Sequence, residues 1–268
     1  MIEAARSRWF ARWFGRSVDK SLRRQFSAVW LGGRANVGPV PAAQSLLCIA
    51  NHSSWWDGMG LLWLNAHALD REGYALMDAA NLRRYRFFRK VGAFGVDMHS
   101  RRDGARALRY AAGLLHVPGR AVWIFPQGRE EPAHVPLRFR GGAARLARLV
   151  PEAAVVPVGF RYVFGRHPRP AMYISVGAPL PPAARTDVDA QQRAVAERLA
   201  GIDDHLVTGR GDFELVLGRH APPPERAARW LDRLVGWTLP PPTSGEQPAV
   251  ATQPQLPSAP LRLPSAER

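Results

Sequence analysis

The sequence predicts an α/β fold in which a mostly parallel, twisted sheet is flanked by helices. Short apolar runs recur along the chain, and amphipathic stretches of helical length separate them. Connections of that length suit crossovers between parallel strands better than hairpins. With 268 residues, 46% of them hydrophobic, the chain is long enough to bury one sizeable core.

Residues 1–33 read as a basic, aromatic, amphipathic helical segment. Trp9 and Trp13, and Phe10 and Phe14, are i,i+4 pairs that make an apolar stripe, continued by Phe26, Val29, Trp30 and Leu31. Arginines interleave this stripe, a pattern that suits the headgroup region of a membrane. Residues 34–239 form the main domain. Residues 45–50 are an unbroken apolar run, read as a buried strand, and a helix over 58–69 follows, with Asp57 at its start. Next come a strand at 74–77, a basic helix at 81–91, a strand at 95–98 and an amphipathic helix at 103–116, which Pro118-Gly119 ends. A strand at 121–125 stops at Pro126, and a Gly-Gly turn opens a helix at 142–150. Strands are expected at 155–163 and 172–176, the first carrying a proline that suits an edge or an end. A long helix at 187–207 and a shorter one at 225–239 complete the domain. Residues 240–268 are rich in Pro, Ser, Gln and Ala without an aromatic residue, and read as a disordered tail.

Composition narrows the function. The single cysteine, Cys48, excludes an intrachain disulfide and cysteine-built zinc sites, and fits a reducing compartment. No apolar run is long enough for a spanning helix, and the N-terminus lacks the pattern of a secretory signal. The net charge of +15 calls for acidic partners: nucleic acid, an anionic membrane, a phosphorylated substrate or an acidic carrier protein.

Two segments carry chemistry. In Asn51-His52-Ser53-Ser54-Trp55-Trp56-Asp57 a histidine lies just past a buried strand, and an aspartate follows five positions on. Within one tight turn the carboxylate can fix the imidazole tautomer and stabilise the imidazolium formed when His52 takes a proton. The second, Phe125-Pro126-Gln127-Gly128-Arg129-Glu130, is a strand running into a turn whose backbone N–H groups can face a ligand.

Together these blocks resemble the glycerophospholipid (lysophospholipid) acyltransferase family, which includes the 1-acylglycerol-3-phosphate acyltransferases. The resemblance spans roughly residues 40–180 and includes two lesser blocks in the right order, Val91 to Asp97 and Val155-Val-Pro-Val158. It implies an acyltransferase-type α/β fold. His52 would be the general base and Asp57 its orienting partner, while Asn51, Ser53 and Gly128 would shape the site around the thioester. The donor would be acyl-CoA or acyl carrier protein as co-substrate, with no metal or cofactor, and the acceptor a lipid hydroxyl. The enzyme would sit peripherally on the anionic cytoplasmic face of the membrane. Two departures concern the acceptor. Where the family has an arginine after Asp97, this chain has Met98, which leaves Arg101 and Arg102 as substitutes; and the usual Phe-Pro-Glu-Gly-Thr-Arg becomes a block with Gln127, Arg129 and Glu130. A non-phosphorylated lipid, a glycolipid, or loss of catalysis altogether are the alternatives these departures open.

Two other classes fit less well. No zinc finger, RRM signature or helix-turn-helix supports nucleic-acid binding, and no Gly-x-Ser-x-Gly elbow supports an α/β-hydrolase. His99, His116, His134, His167, His205 and His220 show no metal-ligand spacing.

Overall fold

The computed structural model describes residues 1–165 and 167–218. In chain order the helices and strands are α1 (Arg8–Gln25), β1 (Ala28–Gly32), β2 (Leu46–Ala50), α2 (Trp56–His67), β3 (Glu72–Asp78), α3 (Ala79–Arg84), β4 (Ala93–Val96), α4 (Arg101–Leu115), β5 (Arg120–Ile124), α5 (Gly142–Leu149), β6 (Ala154–Val163), β7 (Ala171–Val176), α6 (Pro182–Arg185), α7 (Val188–Thr208) and β8 (Glu214–Gly218). The strands form one sheet in the order β4-β3-β5-β2-β6-β7-β1-β8. Five of its seven pairings are parallel; β6–β7 and β1–β8 are antiparallel.

Every residue of β2 is buried, because both faces of the sheet are covered. Alternation along the central strands divides the core. Leu46, Cys48, Trp123 and Val156 pack on the face shared with Val18 and Leu22 of α1 and Met59 and Leu64 of α2. Leu47, Ile49, Val122 and Val155 pack on the opposite face, with Ala111 of α4, Leu146 of α5 and Val195 of α7. Trp123 is fully buried, and its indole N–H donates to Asn65 Oδ1 of α2 at 3.0 Å, satisfying a polar group inside the first layer. Burial also pushes the Cys48 thiol well above its usual range, so it stays protonated.

The structure corrects several expectations. The N-terminal segment is not helical throughout: α1 ends at Gln25, and Ala28–Gly32 becomes a strand that pairs with β7 and β8. Ser7 caps α1, its Oγ accepting the Phe10 N–H. The expected helix at 81–91 is broken at Tyr85 (φ −113°, ψ 63°) into α3 and a 3₁₀ turn, Arg86–Val91, which rotates Phe88 and Val91 into the core. The strand expected at 95–98 lies two residues earlier. Pro157 sits in a central strand, not an edge. Its carbonyl accepts the Gly177 N–H just past the end of the β7 ladder, so its nitrogen faces a position where no ladder donor is required. The expected helix at 225–239 and the tail at 240–268 lie outside the described residues.

Candidate active site

The four sequence blocks end at the carboxyl edge of the parallel strands, where open α/β sheets hold their ligands. β2 delivers Asn51 and His52. Its neighbour β5 delivers Phe125 to Arg129, and β6 contributes from the other side.

Asp57 is completely buried in the first turn of α2. A buried carboxylate is costly unless donors surround it, and this one has four. His52 Nδ1 lies 2.8 Å from Oδ2, which also accepts the backbone N–H groups of Ser53 and Ser54 at 2.8 and 2.9 Å. The Tyr162 hydroxyl donates to Oδ1 at 2.6 Å. Against an ionised carboxylate, which only accepts, the contact requires the proton on Nδ1, and in the neutral imidazole this leaves the lone pair on Nε2. The Tyr162 hydroxyl is pushed well up by its burial and by the adjacent Asp57 charge, so it remains a neutral donor.

The imidazole itself is 22% exposed. It stacks on Phe125, ring centroids 4.3 Å apart, and Nε2 is 3.7 Å from Glu130 Oε1, beyond hydrogen-bond reach. His52 is also fixed through its backbone: its N–H donates to Gln127 Oε1 at 2.7 Å and its carbonyl accepts from Glu131 N at 2.9 Å. Gln127 Nε2 in turn donates to Glu131, whose other oxygen takes two hydrogen bonds from Arg129. The Gln127 donor, then the Arg129 donors and charge, hold the Glu131 carboxyl below its usual range. A groove of about 280 Å³ opens beside His52, between the loop that carries Pro132, Val135 and Leu137 and the Ala196–Ala200 face of α7.

The structure therefore gathers His52, Asp57, Ser53, Gln127 and Arg129 into one network. Asn51 acts as a bracket: its side chain exchanges two hydrogen bonds with the backbone of Phe160, holding the end of β2 to β6. Gly128 adopts φ +75°, a conformation that favours glycine. A methyl group built on its Cα would stand 3.0 Å from Met98 Cε and 3.2 Å from Arg140 Nη1. The second and third blocks thus meet at Met98 and Gly128. Asp97 is exposed, and its carboxylate is taken up by the His99 N–H in the turn before α4. Arg101 and Arg102 occupy the exposed first turn of α4, and their side chains hydrogen-bond to no described residue. The sequence reading missed Tyr162, Arg140, Glu131 and His134, which lines the groove. Among the described residues no cluster of three or more His, Cys, Asp or Glu could hold a metal ion.

His52, its Nδ1 against a buried carboxylate and its ring at the wall of a groove, is arranged as a group that can take up and release a proton. The family model described as Acyltransferase matches residues 35–161. Over those residues the chain is similar to acyltransferases. Among solved structures it is similar to the 1-acyl-sn-glycerophosphate (LPA) acyltransferase PlsC from Thermotoga maritima, at 17% sequence identity and a TM-score of 0.48. That match covers 75% of this chain and 82% of the other. No curated protein matches the chain.

Proposed function

We propose that this protein is an acyltransferase that moves a fatty acyl group from an acyl thioester, acyl-CoA or acyl carrier protein, to a hydroxyl of a lysophospholipid or related lipid. The observation that carries this reading is the 2.8 Å contact between His52 Nδ1 and the buried Asp57, with Nε2 free at the groove. Nε2 takes the acceptor's hydroxyl proton as the oxygen bonds to the thioester carbonyl carbon. Asp57 stabilises the imidazolium that results. The tetrahedral intermediate then breaks its C–S bond, and the departing thiolate receives the proton from Nε2. No acyl-enzyme forms and no cofactor enters the step.

Arg140 supplies the cation on the acceptor side. Arg129 is engaged by Glu131 and Arg161 by Asp203, both through two hydrogen bonds. Arg140 hydrogen-bonds through its side chain to no described residue, and its guanidinium lies over the Gly128 turn beside Met98. It suits an acceptor phosphate by charge and fork geometry. Arg140→Ala is expected to raise KM for lysophosphatidate about tenfold or more while leaving monoacylglycerol, which has no phosphate, within about twofold. Equal effects on both acceptors would remove Arg140 from the headgroup site.

The reading also places the enzyme on an anionic membrane surface at the cytoplasmic face. No helix among the described residues is long and apolar enough to cross a membrane. Instead α1 presents Trp9, 70% exposed, and Trp13, 49% exposed, with Arg8, Arg12 and Arg16 on the same helix, and exposed Phe87 packs against its Phe14. Inserting one such large side chain is worth about 1.5–3 kcal/mol. The double variant Trp9→Ala/Trp13→Ala should therefore bind anionic vesicles at least about tenfold more weakly in a co-sedimentation assay. Unchanged binding would move the membrane face elsewhere.

The experiment for the whole reading is transfer of a labelled acyl group in anionic vesicles. Acyl-CoA and acyl carrier protein serve as donors; lysophosphatidate, other lysophospholipids, monoacylglycerol and a glycolipid serve as acceptors. Transfer to a lysophospholipid supports it, transfer only to the glycolipid redirects the acceptor, and no transfer with either donor overturns it.

A further inference from the structure

We infer that Tyr162 is a positioning residue for acid–base chemistry at His52, acting through Asp57 from a strand that belongs to neither sequence block of the catalytic pair. The inference rests on the reading of His52 as general base. Three elements meet at one carboxylate: His52 follows β2, Asp57 opens α2, and Tyr162 lies near the end of β6. Oδ2 is saturated by His52 Nδ1 and the N–H groups of Ser53 and Ser54. Tyr162 is the side chain that holds Oδ1, 105 positions along the chain from Asp57. A carboxylate held at one oxygen can rotate about its Cβ–Cγ bond, whereas one held at both keeps Oδ2 aimed at Nδ1.

The tyrosine is itself held. Its ring stacks on Phe26, centroids 5.7 Å apart and interplanar angle 30°, and Phe26 meets Trp56 edge-on at 5.3 Å. The hydroxyl thus has little freedom to leave Asp57. It also draws negative charge away from the carboxylate, which limits how strongly Asp57 retains a proton on the imidazole. The ionisable groups nearest His52 are Asp57 on α2, Tyr162 on β6 and Glu130 on the loop after β5; Glu131 and Arg129 are paired with each other behind Gln127, and His134 and the Arg161–Asp203 pair line the same groove.

Tyr162→Phe removes one oxygen and keeps the ring. The expected result is a fall in kcat of about tenfold with KM for donor and acceptor within about twofold. The acid limb of the pH–rate profile should move to higher pH, because a carboxylate that has lost a donor binds the imidazolium more tightly. The same shift is read without any substrate by following the His52 ring proton through a pH titration by NMR; the midpoint should rise by up to about one unit. Far-UV circular dichroism and thermal unfolding confirm that the variant is folded. A folded variant with wild-type kcat and an unmoved His52 titration would show that the hydroxyl serves only to satisfy a buried acceptor, and would overturn the inference. Because the titration needs no turnover, it decides the role of Tyr162 even if every acceptor fails. A wild-type enzyme inactive on all acceptors would instead count against the proposed function.

Discussion

His52→Ala should lower acyl transfer by about 10²–10⁴-fold, the contribution of a positioned acid–base group. The fold should survive, because the imidazole is a partly exposed side chain at the rim of the groove, outside both core layers. Its backbone hydrogen bonds to Gln127 and Glu131 do not depend on the ring. The variant does leave Asp57 with one donor fewer, so a modest loss of thermal stability accompanies the loss of rate. The check is kcat measured beside a thermal melt, using whichever acceptor the wild type accepts. A folded His52→Ala enzyme with more than about a tenth of wild-type turnover would exclude this residue as the base.

Asp57→Asn should cost about as much, roughly 10²–10⁴-fold in kcat, for a different reason. The amide is nearly isosteric with the carboxylate. Its oxygen can take the place of Oδ2 and accept from Ser53 and Ser54, and its NH₂ then stands where Oδ1 was. The Tyr162 hydroxyl, 2.6 Å away, can turn from donor to acceptor and receive it. Packing and hydrogen bonding are thus largely preserved, and the negative charge is what is lost. Without that charge the imidazolium formed during proton transfer loses its buried counter-ion and keeps only the half-exposed Glu130 carboxylate, 3.7 Å from Nε2. The variant should therefore melt within a few degrees of the wild type yet turn over very slowly. A parallel collapse of stability and rate would show that Asp57 matters mainly to folding, and an unaffected rate would remove it from the mechanism.

These expectations start from residues that were legible in the sequence, because His52 and Asp57 lie five positions apart on one strand–turn–helix unit. Local contact of that kind follows from chain geometry. The helices read at 103–116 and 187–207 were legible because helical patterning is a short-range signal; the structure places them at 101–115 and 188–208, capped by Ser100 and Asp187. What escaped was set by distance along the chain. Tyr162 looks like one more residue of a β-strand until β6 lands beside β2. Arg140 looks like one arginine among many until its backbone N–H bonds to Pro126 and brings it over the Gly128 turn. Arg101 and Arg102 were offered as substitutes for the arginine absent at Met98 because they follow the second block closely; α4 starts at once and places them in its exposed first turn. β1 was hidden because Ala28-Val-Trp-Leu-Gly32 continues the apolar character of α1, and only partners near residues 171–176 and 214–218 reveal it as a strand.

The strand order has a consequence for how the chain must be made. β2 is apolar along its whole length, and both of its neighbours, β5 and β6, are encoded well after it. On a ribosome adding about 5–20 residues per second, the sticky Leu46–Ala50 segment waits several seconds for its first partner. β1 waits longer still, for β7 and β8. During that interval the nascent chain displays unpaired hydrophobic ribbon near its start, with the aromatic α1 just upstream. Chaperone capture, or early adhesion of α1 to a lipid surface, would shield that ribbon. Refolding from denaturant offers neither, and recovery of soluble enzyme should fall as protein concentration rises.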